Sequence, residues 1–159
     1  MSTFITLGNA YQPFPRLLSF IEQIVEVLPT PICIQHGYTP LPTTLSSLIT
    51  HHTIDRETFN QYMEHSSVII THAGIGSILS AINFKKKAFV LPRIQALGEH
   101  INDHQVETAH AFNALFLINH IQSPSDIVTN LANTSLLKSP NLDQTLVNYI
   151  TSYFDSMLR

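Results

Sequence analysis

Two stretches hold the groups that could do chemistry. The first is Ser67-Val68-Ile69-Ile70-Thr71-His72-Ala73-Gly74-Ile75-Gly76-Ser77-Ile78-Leu79-Ser80-Ala81. A β-branched apolar run feeds a glycine turn, and the apolar spacing beyond it suits a helix. A helix starting there leaves backbone N–H groups unpaired at its amino end. Those donors and the helix dipole together make an anion site. Gly74 and Gly76 would admit a bulky ligand where a Cβ would collide. The chemistry suggested is a diphosphate cradle, although an ordinary strand-to-helix turn would carry the same residues.

The second stretch is Gly98-Glu99-His100-Ile101-Asn102-Asp103-His104-Gln105. Carboxylate, imidazole and amide groups at close spacing are what a sugar requires, since each hydroxyl wants both a donor and an acceptor. Asp103 and Gln105 are the expected hydroxyl contacts, with His104 alongside. Helix capping would account for Asp103, but not for the whole cluster. His100 and His104, four apart, would share one face of a helix, and with Asp103 they resemble the inverted zincin pattern H-x-x-E-H. Asp stands there in place of Glu, and Glu107 is the one further ligand nearby. A small zinc-dependent hydrolase is thus an alternative that explains fewer residues than a sugar site. Dispersed histidines such as His51, His52, His65 and His120 read as solvent-facing or core residues. Gly76-Ser77-Ile78 lacks the second glycine of a nucleophile elbow. No Gly-Lys-Ser/Thr follows the glycines, and Leu79 stands where a dinucleotide fingerprint needs its third glycine.

Strands and helices in alternation must position these groups. Phe4 to Leu7 predicts a first strand. Pro13 opens a helix whose apolar face is Phe14, Leu17, Leu18, Ile21, Ile24, Val25 and Leu28, stopped by Pro29 and Pro31. Ile32 to Gln35 is a second strand, closed by His36-Gly37-Tyr38. Residues 39–47 read as a loop, followed by a short strand near 48–50. Asp55 is the expected N-cap of a helix carrying Phe59, Tyr62 and Met63. Beyond the central strand and helix, Lys85-Lys86-Lys87 reads as a solvated turn and Ala88 to Pro92 as a buried strand. Residues 93–98 form a loop, a helix runs from His104 to Leu115, and Phe116 to Ile118 is the last strand. Ser123-Pro124-Ser125-Asp126 starts another helix. The closing segment, 141–159, repeats Leu142, Leu146, Ile150 and Phe154 at helical spacing. The fold class is therefore α/β, an open parallel Rossmann-like sheet with helices on both faces. In such sheets ligands bind beyond the carboxyl ends of the strands. That edge would gather Gly8-Asn9, the His36 turn, the His72 turn and residues 93–105.

The totals set bounds. The 159 residues, 44% of them hydrophobic, suit one domain over 1–159. A net charge of -3 argues against a nucleic-acid partner. Only 12% of residues are charged, against roughly 25% in soluble proteins, so the exterior is either polar and uncharged or covered by a partner. The single Cys33 gives no disulfide framework and fits a reducing compartment. The amino end has no basic lead for a signal peptide, and no apolar run reaches the ~18–20 residues of a membrane span. A cytoplasmic domain is expected.

Several motifs taken in order resemble the catalytic, C-terminal half of split GT-B glycosyltransferases. They are Thr6-Leu7-Gly8 with Gln12-Pro13-Phe14-Pro15-Arg16-Leu17, Gln35-His36-Gly37-Tyr38, His72-Ala73-Gly74-Ile75-Gly76-Ser77, Val90-Leu91-Pro92-Arg93, and Gly98-Glu99-His100 with Asp103-His104-Gln105. The similarity extends to bacterial two-component exopolysaccharide and capsule enzymes. It extends also to the eukaryotic two-subunit enzyme that adds the second N-acetylglucosamine to the dolichol-linked precursor. The resemblance implies a UDP-sugar-binding domain that works with a membrane-associated subunit supplying the acceptor half, at the inner face of the membrane. The expected donor is a UDP-hexose or derivative, and the acceptor a lipid-linked sugar in surface polysaccharide synthesis. It further implies that His72 to Ser77 hold the diphosphate, that His104 and Gln105 hold donor-sugar hydroxyls, that Thr53-Ile54 meet uracil, and that Gly8-Asn9 line the cleft floor. Arg93, Glu99 and His100 complete the expected substrate contacts. Inversion at the anomeric carbon is implied, with the general base on the partner, so no catalytic base is assigned to this chain. No cofactor or metal is expected, since helix-end N–H groups can stabilise the leaving diphosphate. The chain departs from its relatives at Ser80, where an acidic residue commonly grips the ribose, at Lys85-Lys86-Lys87 for Gly-Lys-Pro, and at Asn9 for Thr. Either a catalytic subunit or a non-catalytic, partner-docking relic fits these departures. Tyr149, Tyr153, Phe154 and Met157 of the closing helix are expected at a partner surface.

Overall fold

The computed structural model describes residues 2–115, 117–132, 148 and 152. The closing helix expected over 141–159 and its partner-facing aromatics therefore lie outside the described residues, as does Phe116. Strands β1 (Thr3–Thr6), β2 (Ile32–Gln35), β3 (Ile49–His51), β4 (Val68–His72), β5 (Lys87–Leu91) and β6 (Asn119–His120) alternate with helices α1 (Pro15–Ile24), α2 (Arg56–His65), α3 (Ile75–Asn83), α4 (His104–Ala114) and α5 (Pro124–Ala132). The strands form one parallel sheet in the order β3-β2-β1-β4-β5-β6, the Rossmann-like architecture expected. The order reverses between β1 and β4, which stay paired through Thr6 and Thr71. In open α/β sheets the crevice beyond the carboxyl ends at such a point is where ligands sit.

Alternation along the strands divides the core between two faces. Ile5, Ile34, Ile70 and Phe89 point to one side and pack with Leu17, Leu18 and Ile21 of α1 and Ile127 of α5. Phe4, Cys33, Ile69, Ala88 and Val90 point to the other, against Met63 of α2, Ile78 and Ala81 of α3, and Phe112 of α4. Because both faces are covered, the strands read as continuous apolar runs.

Boundaries shift where hydrogen bonds override local pattern. Helix α1 starts at Pro15 rather than Pro13, since the Phe14 amide donates to Thr39 Oγ1 at 3.0 Å. Lys87 joins β5 and pairs with Val68; only Lys85 and Lys86 stay in the turn. Among the described residues the last strand is Asn119–His120, and Leu117 and Ile118, expected in it, precede it. The Leu117 amide instead donates to Phe112 O at 3.1 Å, closing the end of α4, and the buried Leu117 and Ile118 pack into the α4 side of the core. Asp55 does cap α2, accepting from the Thr58 amide at 2.8 Å.

Phe89 lies at the centre of the α1 face with no solvent exposure. Phe89→Ala is expected to cost about 3–5 kcal/mol of unfolding free energy in urea denaturation. A loss below about 1 kcal/mol would mean that this face is not the core.

Candidate functional site

The local sequence builds the site around His72, the last residue of β4. Its imidazole lies across the glycine turns that follow β1 and β4. A Cβ on Gly8 would stand 2.6 Å from His72 Cε1, and one on Gly74 would stand 2.1 Å from Nε2. Gly8 also holds φ +74°, and a Cβ on Gly37, in the turn after β2, would meet Gly8 O at 2.6 Å. The small residues of these turns thus make room for one another and for the histidine. Thr71 Oγ1 lies 3.2 Å from His72 Nδ1. Desolvation above all, and the nearby Arg93 guanidinium second, lower the imidazole pKa to about 4 against a backbone hydrogen bond at Thr6 that favours the cation. At neutral pH His72 is therefore an uncharged wedge.

Gly76 is different. Nothing lies within 4 Å of a Cβ placed there, and the residue is exposed at the second position of α3. Gly74 is the N-cap and contributes no side-chain cap, so the amides of Ile75, Gly76 and Ser77 form the uncapped amino end of the helix. Ile78 N is the first amide paired back, to Gly74 O at 3.1 Å. This end opens on a cleft of about 450 Å³ at the β1/β4 switch point, lined among others by Gly8, Asn9, Ile54, Gly76, Ser77 and Ser80. Six of the expected binding residues therefore meet in one cleft of ligand size. His72, Ala73, Gly74 and Ile75 form the turn behind its lip.

The cleft also contains residues that sequence reasoning did not assign to it: Thr6, Gln35, Asp55, Arg56, Phe59 and Asn60. Thr6 and Gln35 act through a relay. Thr6 Oγ1 accepts from the Gly8 amide at 3.3 Å and donates to Gln35 Oε1 at 2.6 Å, while Gln35 Nε2 donates to Asn9 Oδ1 at 2.8 Å. A glutamine ending an otherwise apolar strand was the available signal. Asp55 was legible only as a cap; its carboxylate, held low in pKa mainly by the Thr58 amide, serves the cap, and the residue lines the cleft.

The polar stretch 93–105 divides. Arg93 and Glu99, expected to touch substrate, are turned inward. Arg93 is 1% exposed and donates to Leu7 O at 2.8 Å, Gln12 O at 2.7 Å and Glu99 O at 3.0 Å, with its guanidinium over the Phe14 ring. Burial lowers its pKa to about 10, Glu99 opposing, which leaves it charged. Glu99 accepts from Arg16 through both carboxylate oxygens, at 2.9 and 2.7 Å, and from the Ile94 amide at 3.0 Å. Gln105 is buried and accepts from the Arg93 amide at 3.2 Å. Asp103 is exposed and accepts from the Gln95 amide at 2.8 Å, and His104, the first residue of α4, lies 3.1 Å from Glu107. His100 precedes α4, so the shared helical face needed for a His100/His104 zinc pair is not formed. Among the described residues no group of three His, Cys, Asp or Glu is placed to hold a metal. None of residues 93–105 lines the cleft at Gly76.

Two outcomes follow from the two kinds of glycine. Gly74→Ala, which drives a methyl into the imidazole, should cost about 2 kcal/mol or more, whereas Gly76→Ala should stay within about 0.5 kcal/mol of the parent; equal losses in chemical denaturation would refute the distinction. Because the folded pKa of His72 lies below the ordinary 6.5, its stabilising contribution is whole above that pH and is lost as pH falls towards 4, on the order of 3 kcal/mol. Melting temperatures across this window should fall less steeply in His72→Asn than in the parent, and parallel curves would remove His72 as the cause.

The described helices include none long and apolar enough to cross a membrane. No curated protein matches the sequence. The fold is similar to the NMR solution structure of ALG13, at 17% identity and a TM-score of 0.63, covering 94% of this chain and 94% of that one. It is similar also to the glycotransferase of kitacinnamycin (18% identity, TM-score 0.59) and to CalG4, the calicheamicin glycosyltransferase (20% identity, TM-score 0.59). In both cases 84% of this chain is covered but only 35% of the other, so the chain spans about a third of their length. The model of the glycosyltransferase family 28 C-terminal domain matches residues 5–146, and with the sheet order and the cleft in place, the chain belongs to that glycosyltransferase family.

Proposed function

We propose that this chain is the donor-binding half of a two-component, inverting glycosyltransferase. It would move a hexose or hexose derivative from a UDP-sugar to a lipid-linked acceptor in surface polysaccharide synthesis. The observation that carries the reading is the uncapped amino end of α3 opening on the switch-point cleft. The diphosphate sits at the amides of Ile75, Gly76 and Ser77, which need no cation to receive it. The nucleoside lies along Ile54 and Ser80. The sugar extends towards the start of α4, where the exposed His104 is the hydroxyl contact and the buried Gln105 positions the turn through the Arg93 amide. Asn9, held by Gln35, lines the cleft floor. In the reaction an acceptor oxygen attacks the anomeric carbon as the bond to UDP breaks; its proton passes to a base on the partner, and the charge developing on the diphosphate falls on the α3 amides. The similarity to ALG13, covered over 94% of both chains, supports a fold unit of this size.

A second reading, a non-catalytic nucleotide-binding or docking subunit, draws on Ser80 where relatives carry an acid. Asp55 weakens it, because an acidic residue still lines the cleft. Calorimetric titration of UDP should show binding that survives a chelator and falls at least about tenfold in Gly76→Val, a substitution that meets open space. Failure of the parent chain to bind UDP, both alone and with its partner, would favour the docking reading; binding that requires zinc would favour a metal-dependent one.

A further inference from the structure

Basic side chains are distributed unevenly over the two edges of the sheet. Among the described residues Lys85 and Lys86 follow the carboxyl end of α3 and Lys87 opens β5, so all three belong to the edge opposite the cleft. Arg16 and Arg93 belong to the cleft edge but are committed inward, Arg16 to Glu99 and Pro92 O, Arg93 to three backbone carbonyls. Arg56 remains. It is exposed, and it is the one basic residue among the described residues that line the cleft. It belongs to the α2 wall, whereas Gly76, Ser77 and Ser80 form the α3 wall.

The position is unfavourable for a cation. Arg56 is the first residue of α2, beside the N-cap Asp55, where the helix dipole repels positive charge. Side chains of a helix lean towards its amino end, and α2 begins at the carboxyl edge of the sheet, just after β3. No ion pair offsets the repulsion. The Asp55 carboxylate is occupied by the Thr58 amide at 2.8 Å and the Thr58 hydroxyl at 2.9 Å. Those two bonds are the leading causes of its lowered pKa, and Arg56 is not among the causes. The ion pairs of the described residues are Arg16 with Glu99 and His104 with Glu107. An anion in the cleft of about 450 Å³ would relieve the repulsion and supply the missing partner.

We propose that Arg56 is the side-chain cation of the diphosphate site, gripping from the α2 wall the phosphate oxygens that the α3 amides leave uncovered. The inference rests on the donor-binding reading above and adds a residue that the sequence motifs did not single out. A guanidinium fork matches two phosphate oxygens at once and carries a full charge, whereas a helix amino end acts as roughly half of one. The two walls together select a nucleoside diphosphate over a nucleoside, a discrimination that the amides alone would make more weakly. Ile54, two residues earlier, lines the same wall, so one short segment reads both the base and the diphosphate.

The test titrates the full chain with UDP and with uridine by calorimetry, in the parent and in Arg56→Gln, Arg56→Lys and Gly76→Val. Arg56→Gln should lose at least about tenfold in affinity for UDP and stay within about twofold of the parent for uridine. Arg56→Lys keeps the charge without the fork and should fall between the two, and added salt should narrow the gap between parent and Arg56→Gln. The melting temperature of Arg56→Gln should not drop, because the change removes a cation from the wrong end of a helix. Binding of UDP by Arg56→Gln within about twofold of the parent would overturn the proposal. So would equal losses for UDP and uridine, or a loss that comes with a lower melting temperature. Loss of UDP in Gly76→Val but not in Arg56→Gln would leave the donor-binding reading standing and remove this inference alone. A parent chain that binds no UDP, alone or with its partner, would remove both.

Discussion

The upper edge of this sheet depends on a single packing constraint: an uncharged imidazole must fit between two glycine turns. His72 ends the central strand and its ring fills the volume that side chains at Gly8 and Gly74 would occupy. Gly37 in turn backs onto Gly8 O. The turns after β1, β2 and β4 are thereby nested, and the amino end of α3 acquires a fixed position relative to β1. Any charge on the ring would have to be desolvated in the same space, which is why its pKa falls. Dense packing of this kind transmits even a methyl-sized change.

The glycines of the His72 turn therefore divide by role. Gly74 serves the fold, because its missing Cβ is already replaced by a neighbouring ring. Gly76 has open space above it, and of the pair it alone lines the cleft. The same division runs through the polar stretch from Arg93 to Gln105. Arg93 joins the ends of β1 and β5 through three carbonyl oxygens, Glu99 anchors Arg16 of α1, and Gln105 braces the Arg93 amide. These are positioning residues. Cutting any of them would move the cleft walls before it altered a ligand contact.

Much of this was legible in the residues. Apolar β-branched runs marked both-side-covered strands, Asp55 marked the start of α2, and the His72 turn marked the start of α3, because each signal is local and backbone-driven. What was not legible is longer in range. Strand order is not encoded in any local pattern, so the reversal between β1 and β4, which locates the cleft, had to come from the fold. Arg93 and Glu99 read as surface groups because charged residues are seldom fully buried; only the carbonyls converging from Leu7, Gln12 and Glu99 itself make burial tolerable. The last strand was misplaced because Leu117 and Ile118 have strand-like side chains whose backbone is taken up in ending α4. The family motifs singled out the whole glycine turn, but motif membership alone could not separate the glycine that faces solvent from the one that faces histidine.

Electrostatics then explains how such an edge can favour an anion while exposing few cations. Arg93 is buried just behind the His72 turn, and its charge is directed at backbone carbonyls rather than at solvent. Glu99 balances one guanidinium of the Arg16/Arg93 pair, so one positive charge is left over beneath the turn. Away from bulk water that charge acts over longer distances than it would at the surface. Its field has the same sign as that of the amino end of α3, and after desolvation it is the second cause lowering the pKa of His72. A neutral histidine between them is then a gain, because a protonated ring would add charge only at the expense of the packing that holds both glycine turns in place. The buried Arg93 thus stands behind the uncapped amides of α3, and Arg56 is a second positive group on the cleft wall.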